Sequence, residues 1–121
     1  MNPTIREESY QLHAQLCKAL ADPKRLLIVN ELRDGERSVS ELVQGLGLSQ
    51  TNVSQHLAVL REKRLVTARR SGTSTYYSLA NPKLVRAFDL LREVMVDILA
   101  GQAERSRELT RSLVVEQSSA R

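Results

Sequence analysis

The stretch from Ser38 to Val66, SVSELVQGLGLSQTNVSQHLAVLREKRLV, constrains the fold more tightly than any other part of the chain. Ser38 followed three residues on by Glu41 has the form of a capping box, in which the Ser oxygen and the Glu carboxylate each accept an orphan N–H of a new helix. That helix is short, because Gly45 and Gly47 close it. Ser49 then caps a second helix from about Gln50 to Lys63. Leu42, Val43 and Leu46 make the inward face of the first helix. Val53, Leu57 and Leu60, at i, i+4 and i+7, make a narrow buried stripe on the second. Two short helices joined by a glycine-containing turn predict a helix-turn-helix.

The flanking segments complete a recognisable order. A first helix is expected from about Ile5 to Ala21, with Leu12, Leu16, Ala19 and Leu20 on one face. Asp22-Pro23 breaks it and starts another, since Asp is a good N-cap and Pro suits the first helical position. Leu26, Leu27, Val29 and Leu32 are its inward candidates, and Asp34-Gly35 ends it. After Arg64 the pattern turns β-prone. Leu65–Arg70 and Thr75–Leu79 flank the turn residues Ser71-Gly72-Thr73-Ser74, which predicts a β-hairpin. Asn81-Pro82 opens a long last helix that continues past Gly101 toward Leu113, and the end at Ser118-Ser119-Ala120-Arg121 is expected to fray. On this helix Leu84, Phe88, Leu91, Met95 and Ile98 follow a 4-3 spacing that needs an apolar partner.

The fold class is therefore mainly α with a small β-hairpin, in the order α-α-α-α-β-β-α. It reads as a winged helix-turn-helix in a single domain over residues 1–121, with the helix-turn-helix at 38–64 and the wing at 65–80. Aromatics make up only 3% of the chain, so aliphatic side chains must build the core. The stripe on the last helix makes a homodimer plausible from the residues alone.

Charge points to a partner. The formal net charge is +4. Between Gln50 and Arg70 stand Arg61, Lys63, Arg64, Arg69 and Arg70 against the single acid Glu62, so that segment carries all of the excess. With Val53, Leu57 and Leu60 inward, the second helix shows Gln50, Thr51, Ser54 and Gln55 outward, with Asn52 beside them. Uncharged side chains that both donate and accept suit base edges. Arg61 adds a cation near the helix end. His56 reads either as a packed helix residue bonded locally or as a phosphate or base contact. Arg69, Arg70, Ser71, Gly72 and Thr73 suit phosphate or minor-groove contact from the wing, and a solvated hairpin tip is the plain alternative. Lys24 and Arg25 read equally as phosphate contacts or surface charges.

Several classes are excluded or disfavoured. Cys17 is the one cysteine, so no intrachain disulfide forms and a reducing cytoplasm fits. The N-terminal stretch has no apolar signal-like run, and no run of about 18 apolar residues would span a membrane. There is no Gly-rich phosphate loop and no nucleophile with a placed base, so an enzyme is not expected, although His13 and Cys17 share a helix face. A protein-interaction module would show exposed large apolar residues around Gln50–Gln55, and that stretch does not.

LCKALADPKRLLIVNEL, SQTNVSQHLAVLREKRLV and RRSGTSTYYSL, in this order and spacing, resemble the ArsR/SmtB family of transcriptional repressors over roughly residues 13–99. The resemblance implies a winged-helix homodimer with the first and last helices, 5–21 and 82–113, at the interface. It implies an inverted-repeat DNA operator, released when a signal is sensed. It places Gln50, Thr51, Ser54 and Gln55 toward the groove, and Arg69, Arg70 and the Gly72 turn on the wing.

The chain departs from the family's metal sensors. The paired thiols at the start of the third helix fall on Ser38 and Ser40, whose hydroxyls do not replace thiolates for soft metals. The last helix offers Asp89, Asp97, Glu104 and Glu108 but no His. No metal and no cofactor is expected. Cys17 reads first as a buried, inert thiol, and otherwise as a redox or electrophile sensor. An unknown inducer or a partner protein also stays open as the controlling signal.

Overall fold

A computed structural model describes residues 2–119 of the chain. The helices are α1 (Pro3–Leu20), α2 (Pro23–Glu31), α3 (Val39–Leu46), α4 (Gln50–Glu62) and α5 (Lys83–Ser119). The strands are β1 (Arg37–Ser38), β2 (Val66–Ser71) and β3 (Ser74–Leu79), with a 3-10 turn at Leu32–Asp34. The chain divides into two compact units, Met1–Val85 and Arg86–Arg121; α5 begins in the first and continues through the second.

Local chemistry sets most boundaries. The Asp22 side chain accepts from the backbone N–H groups of Lys24 and Arg25 at 2.9 and 3.2 Å, and Pro23 occupies the first helical position of α2. At α3 the capping box is complete. The Glu41 N–H donates to Ser38 Oγ at 3.2 Å, and the Ser38 N–H donates to Glu41 Oε1 at 3.1 Å. Gly47 ends α3 at φ 66°, where only glycine adopts the left-handed region without steric cost. The Asn52 N–H donates to Ser49 Oγ at 3.1 Å and starts α4. That helix ends in a Schellman arrangement. The Leu65 N–H reaches back to the Leu60 carbonyl at 2.9 Å and that of Arg64 to Arg61 at 3.0 Å. Arg64 sits at φ 60°, a position usually given to glycine.

Ile28, Val29, Leu42, Val53, Leu57 and Leu60 are fully buried, with Leu32 and Val66 at 2% exposure and Ala19 at 5%. α2, α3 and α4 pack on one another, and α4 also packs on β2. Burying each of these Leu, Ile and Val side chains is worth roughly 1.5–3 kcal/mol, so α4, with three of them, is the axis of this unit.

Four expectations need correction. The sheet has three strands in the order β1-β3-β2, all antiparallel, and not a lone hairpin. β1 is two residues long, too short for a period-2 pattern to reveal it, and it pairs Arg37 with Tyr77 and Ser38 with Tyr76. On α2, Leu26 and Leu27 are 41% and 48% exposed, while Ile28 and Val29 turn inward with Leu32. A nine-residue helix has room for one inward face, and the 28-29-32 spacing takes it. Leu12 is 60% exposed. Cys17 is also exposed rather than buried. Both misplacements have one cause: α1 buries only its last turn, at Ala19 with Leu16 and Leu20 half-buried, so the rest of its apolar face has no cover within the chain.

The hairpin itself matches expectation. β2 and β3 pair from Val66–Leu79 to Ser71–Ser74, and a two-residue loop at Gly72-Thr73 carries its positive φ, 61°, on the glycine. α5 starts with the Lys83 N–H donating to Asn81 Oδ1 at 3.0 Å, and it runs through Gly101 to Ser119, beyond the expected Leu113. Leu91, Val94, Met95, Ile98 and Leu99 are exposed along it. The helix thus includes Ser118 and Ser119, which were expected to fray; Ala120 and Arg121 lie outside the described residues.

Candidate nucleic-acid interface

Burial of Val53, Leu57 and Leu60 fixes the rotation of α4. The opposite face then follows from the 3.6-residue period. Gln50, Thr51, Ser54 and Gln55 are exposed, and so are Ala58, Arg61 and Glu62. Thr51, Ser54 and Gln55 lie together, with Ala58 one turn further on. Ala58 belongs to the same row. Its signal was present in the sequence, three residues past Gln55 and four past Ser54, and its methyl is the kind of group that meets a thymine methyl.

Asn52 and His56 are half-buried and occupy the flank of the helix, one turn apart. His56 turns toward the start of α2. The Arg25 Nη1 lies 3.3 Å from His56 Nδ1, and Asp22 Oδ1 lies 4.0 Å from Nε2. A guanidinium only donates, so a hydrogen bond in this contact runs from Arg25 to Nδ1. The Arg25 Nε also donates to the Ala19 carbonyl at the end of α1. One guanidinium therefore links α1, α2 and α4. Arg25 is engaged inside the fold, and Lys24 beside it is exposed. The Asp22 carboxyl is held below its usual pKa, chiefly by the Arg25 backbone N–H and further by that of Lys24. Asp22 thus contributes to stability above the unfolded carboxyl pKa, and the contribution fades as pH falls through the lowered folded value.

On the wing, Arg70, Ser71, Gly72 and Thr73 are exposed. Arg69 is exposed too, but its guanidinium is taken. Nη2 and Nε donate to the two Glu36 carboxylate oxygens at 2.6 and 3.2 Å, and the group lies 5.1 Å from the Tyr76 ring centre. Tyr76 is the residue directly opposite Arg69 in the strand register. Alternation along β2 puts Arg70 on the other face, with Val66 and Ala68. The hydrogen bond from Arg69 holds the Glu36 carboxyl below its ordinary pKa, and the same bond raises that of Arg69. Glu36 was not among the residues singled out from the sequence; Tyr76 and Tyr77 were read there as alternating between the core and the DNA backbone, and Tyr76 lies against Arg69.

The chain thus offers hydrogen-bonding side chains on the exposed face of α4 and, on the wing, a hairpin tip with Arg70 exposed. It can meet polar base edges and phosphates. No group of three or more His, Cys, Asp or Glu that could hold a metal ion occurs among the described residues. No described helix is long and apolar enough to cross a membrane.

Residues 22–68, which span α2 through the helix-turn-helix, match the family model described as bacterial regulatory protein, arsR family. An HTH-type transcriptional regulator of Mycobacterium tuberculosis is 39% identical over 95 residues, 78% of this chain and 83% of the relative. The chain belongs to the arsR family. The crystal structure of that mycobacterial protein superposes with a TM-score of 0.72 at 36% identity, covering 85% of this chain and 99% of the other. The transcriptional repressor PagR of Bacillus anthracis is 42% identical over 74% of this chain and 91% of its own. The homodimeric winged helix-turn-helix DNA-binding domain of a Mycobacterium bovis protein superposes with a TM-score of 0.70 at 35% identity, over 78% of this chain and 87% of that one. An arsR-family member with this fold is a DNA-binding transcription regulator, and the winged helix-turn-helix read from the sequence is the fold observed.

Proposed function

We propose that this arsR-family chain is a cytoplasmic repressor that binds an inverted-repeat operator as a homodimer, as one winged-helix domain over residues 1–121. The segments 5–21 and 82–113 supply the dimer contacts. Gln50, Thr51, Ser54 and Gln55 read base edges in the major groove, with Asn52 and Arg61 at the margins. Arg70, Ser71, Gly72 and Thr73 contact the sugar-phosphate backbone or the minor groove from the wing. His56 lies at the flank of this surface and holds the recognition helix to Arg25.

The observation that carries the reading is the rotation of α4. Three fully buried residues leave a row of uncharged hydrogen-bonding side chains outward, where a solvent-facing helix would carry Glu and Lys. Homodimerisation is supported by the homodimeric Mycobacterium bovis neighbour and repression by the PagR relative.

Selection of duplexes from a random pool by the purified protein tests the reading. An inverted repeat whose halves lie about one helical turn apart is expected. Gln55→Ala should then relax preference at one base pair per half-site, by roughly 1–3 kcal/mol, with weaker binding to the selected site and little change elsewhere. Unchanged discrimination in Gln55→Ala would move the recognition surface off this face.

A second reading of the signal rests on Cys17, exposed in the single chain within the segment 5–21 proposed for dimer contacts: oxidation of this thiol there disturbs the dimer and releases DNA. Loss of operator binding on oxidant treatment in the wild type, absent in Cys17→Ser, is its expected signature. Equal binding with and without oxidant would leave Cys17 outside signalling.

A further inference from the structure

Glu36 meets the wing from outside it. It stands just before β1, 33 residues from Arg69 in sequence, and its carboxylate takes two nitrogens of the Arg69 guanidinium at 2.6 and 3.2 Å. This two-toothed geometry is the one a DNA phosphate would use on the same edge of the same group. The Tyr76 ring, 5.1 Å away, holds the guanidinium from a third direction. Both charged partners remain wet, with side chains 56% and 42% exposed. An ion pair in water is weak. It nevertheless puts an anion on the edge of Arg69 that a phosphate would take, so binding a phosphate there must first break the pair.

We propose that Glu36 sets the strength of sequence-independent DNA binding: its carboxylate stands in for a phosphate on Arg69, so that the wing of each subunit presents one available cation, Arg70, and not two. The proposal rests on the DNA-binding reading above. Without Glu36, the stretch from Gln50 to Arg70 carries +4. With the Glu36 carboxylate seated on Arg69, the same surface carries one positive charge fewer. Phosphate contacts provide affinity without reading sequence, and each one shows in the salt dependence. Arg69 is thereby a positioning residue that ties β2 to the residue before β1. Base discrimination, which belongs to α4, is untouched by Glu36.

The test measures binding of the full-length protein to two labelled duplexes across a salt series. One duplex is selected by the wild type from a random pool, and the other is a scramble of it. Glu36→Gln should bind both duplexes about 5- to 50-fold more tightly near 0.1 M salt, with the slope of log K against log salt steeper by about 0.9 per subunit. The ratio between the two duplexes should stay constant. Removing an acid from any basic surface raises DNA affinity somewhat, so the double variant decides the cause. Glu36→Gln with Arg69→Ala should return to the wild-type slope, and a gain that persists there would overturn the role of Arg69. Arg69→Ala alone should leave the slope unchanged, and a fall of about 0.9 per subunit would show Arg69 already on phosphate. Should Glu36→Gln fold poorly by circular dichroism, that single Arg69 variant still decides the matter. Failure of the wild type to bind any duplex would overturn the DNA-binding reading itself, and this inference with it.

Discussion

Leu57→Ala is expected to cost about 2–5 kcal/mol of stability. Leu57 is fully buried in the middle of α4, between the fully buried Val53 and Leu60. Its removal takes away the transfer energy of the side chain and leaves a cavity that α2, α3 and β2 can close only in part. A domain of this size has roughly 5–15 kcal/mol in total, so the variant stands near the edge of folding. Thr51→Ala, one and a half turns away on the exposed face, should stay within about 0.5 kcal/mol. Urea unfolding followed by circular dichroism compares the two. Near-equal midpoints would mean that α4 is rotated differently, and the recognition row would rotate with it. The stability measurement thus also tests the proposed DNA-facing surface, because the same helix period assigns both faces.

Strong local signals were read correctly. The Ser38–Glu41 box, the Ser49 cap and the Asp22-Pro23 start each bond within three residues, and each lies where expected. The Val53-Leu57-Leu60 stripe was narrow and unambiguous. The Gly72 loop carried its own conformational requirement. On α2, by contrast, Leu26, Leu27, Ile28, Val29 and Leu32 offer several apolar faces, and only the packing of α2 on α3 and α4 chooses among them. On α1, Leu12 and Cys17 were assigned to a core that this chain does not supply.

The candidate site divides along the same line. Which side chains leave α4 follows from local periodicity, and Gln50, Thr51, Ser54 and Gln55 are exposed as that period requires. What those side chains and their neighbours touch depends on pairing across long sequence separations. His56 finds Arg25 at a separation of 31 residues, and Arg69 finds Glu36 at 33. No periodicity encodes either meeting. A count of basic residues on the wing does not show the carboxylate paired with Arg69, because Glu36 lies on the other side of the helix-turn-helix in sequence.

Met95→Glu is expected to turn the proposed dimer into a monomer and to lower operator affinity by 10²–10⁴-fold, roughly the range that linkage of two half-site contacts adds over one. Leu91, Met95 and Ile98 are 65%, 53% and 55% exposed along α5, in a continuous 4-3 row. Contiguous apolar surface of this kind on a regulator marks an interaction face. A second copy of the same helix row satisfies the 4-3 spacing by knobs-into-holes packing. Glutamate at its centre would bring two carboxylates close together into an apolar seam, where desolvation and like-charge repulsion both oppose assembly. The effect should fall on assembly and leave the Met1–Val85 unit intact, because Met95 lies outside it. Sedimentation should show a halved mass with unchanged helical content. Binding to an isolated half-site should be preserved, while binding to the full inverted repeat collapses to that level. A variant that stays dimeric and binds the full repeat normally would put the interface on other surfaces. The exposed apolar residues Leu12, Leu26 and Leu27 on α1 and α2 would then be the first to substitute.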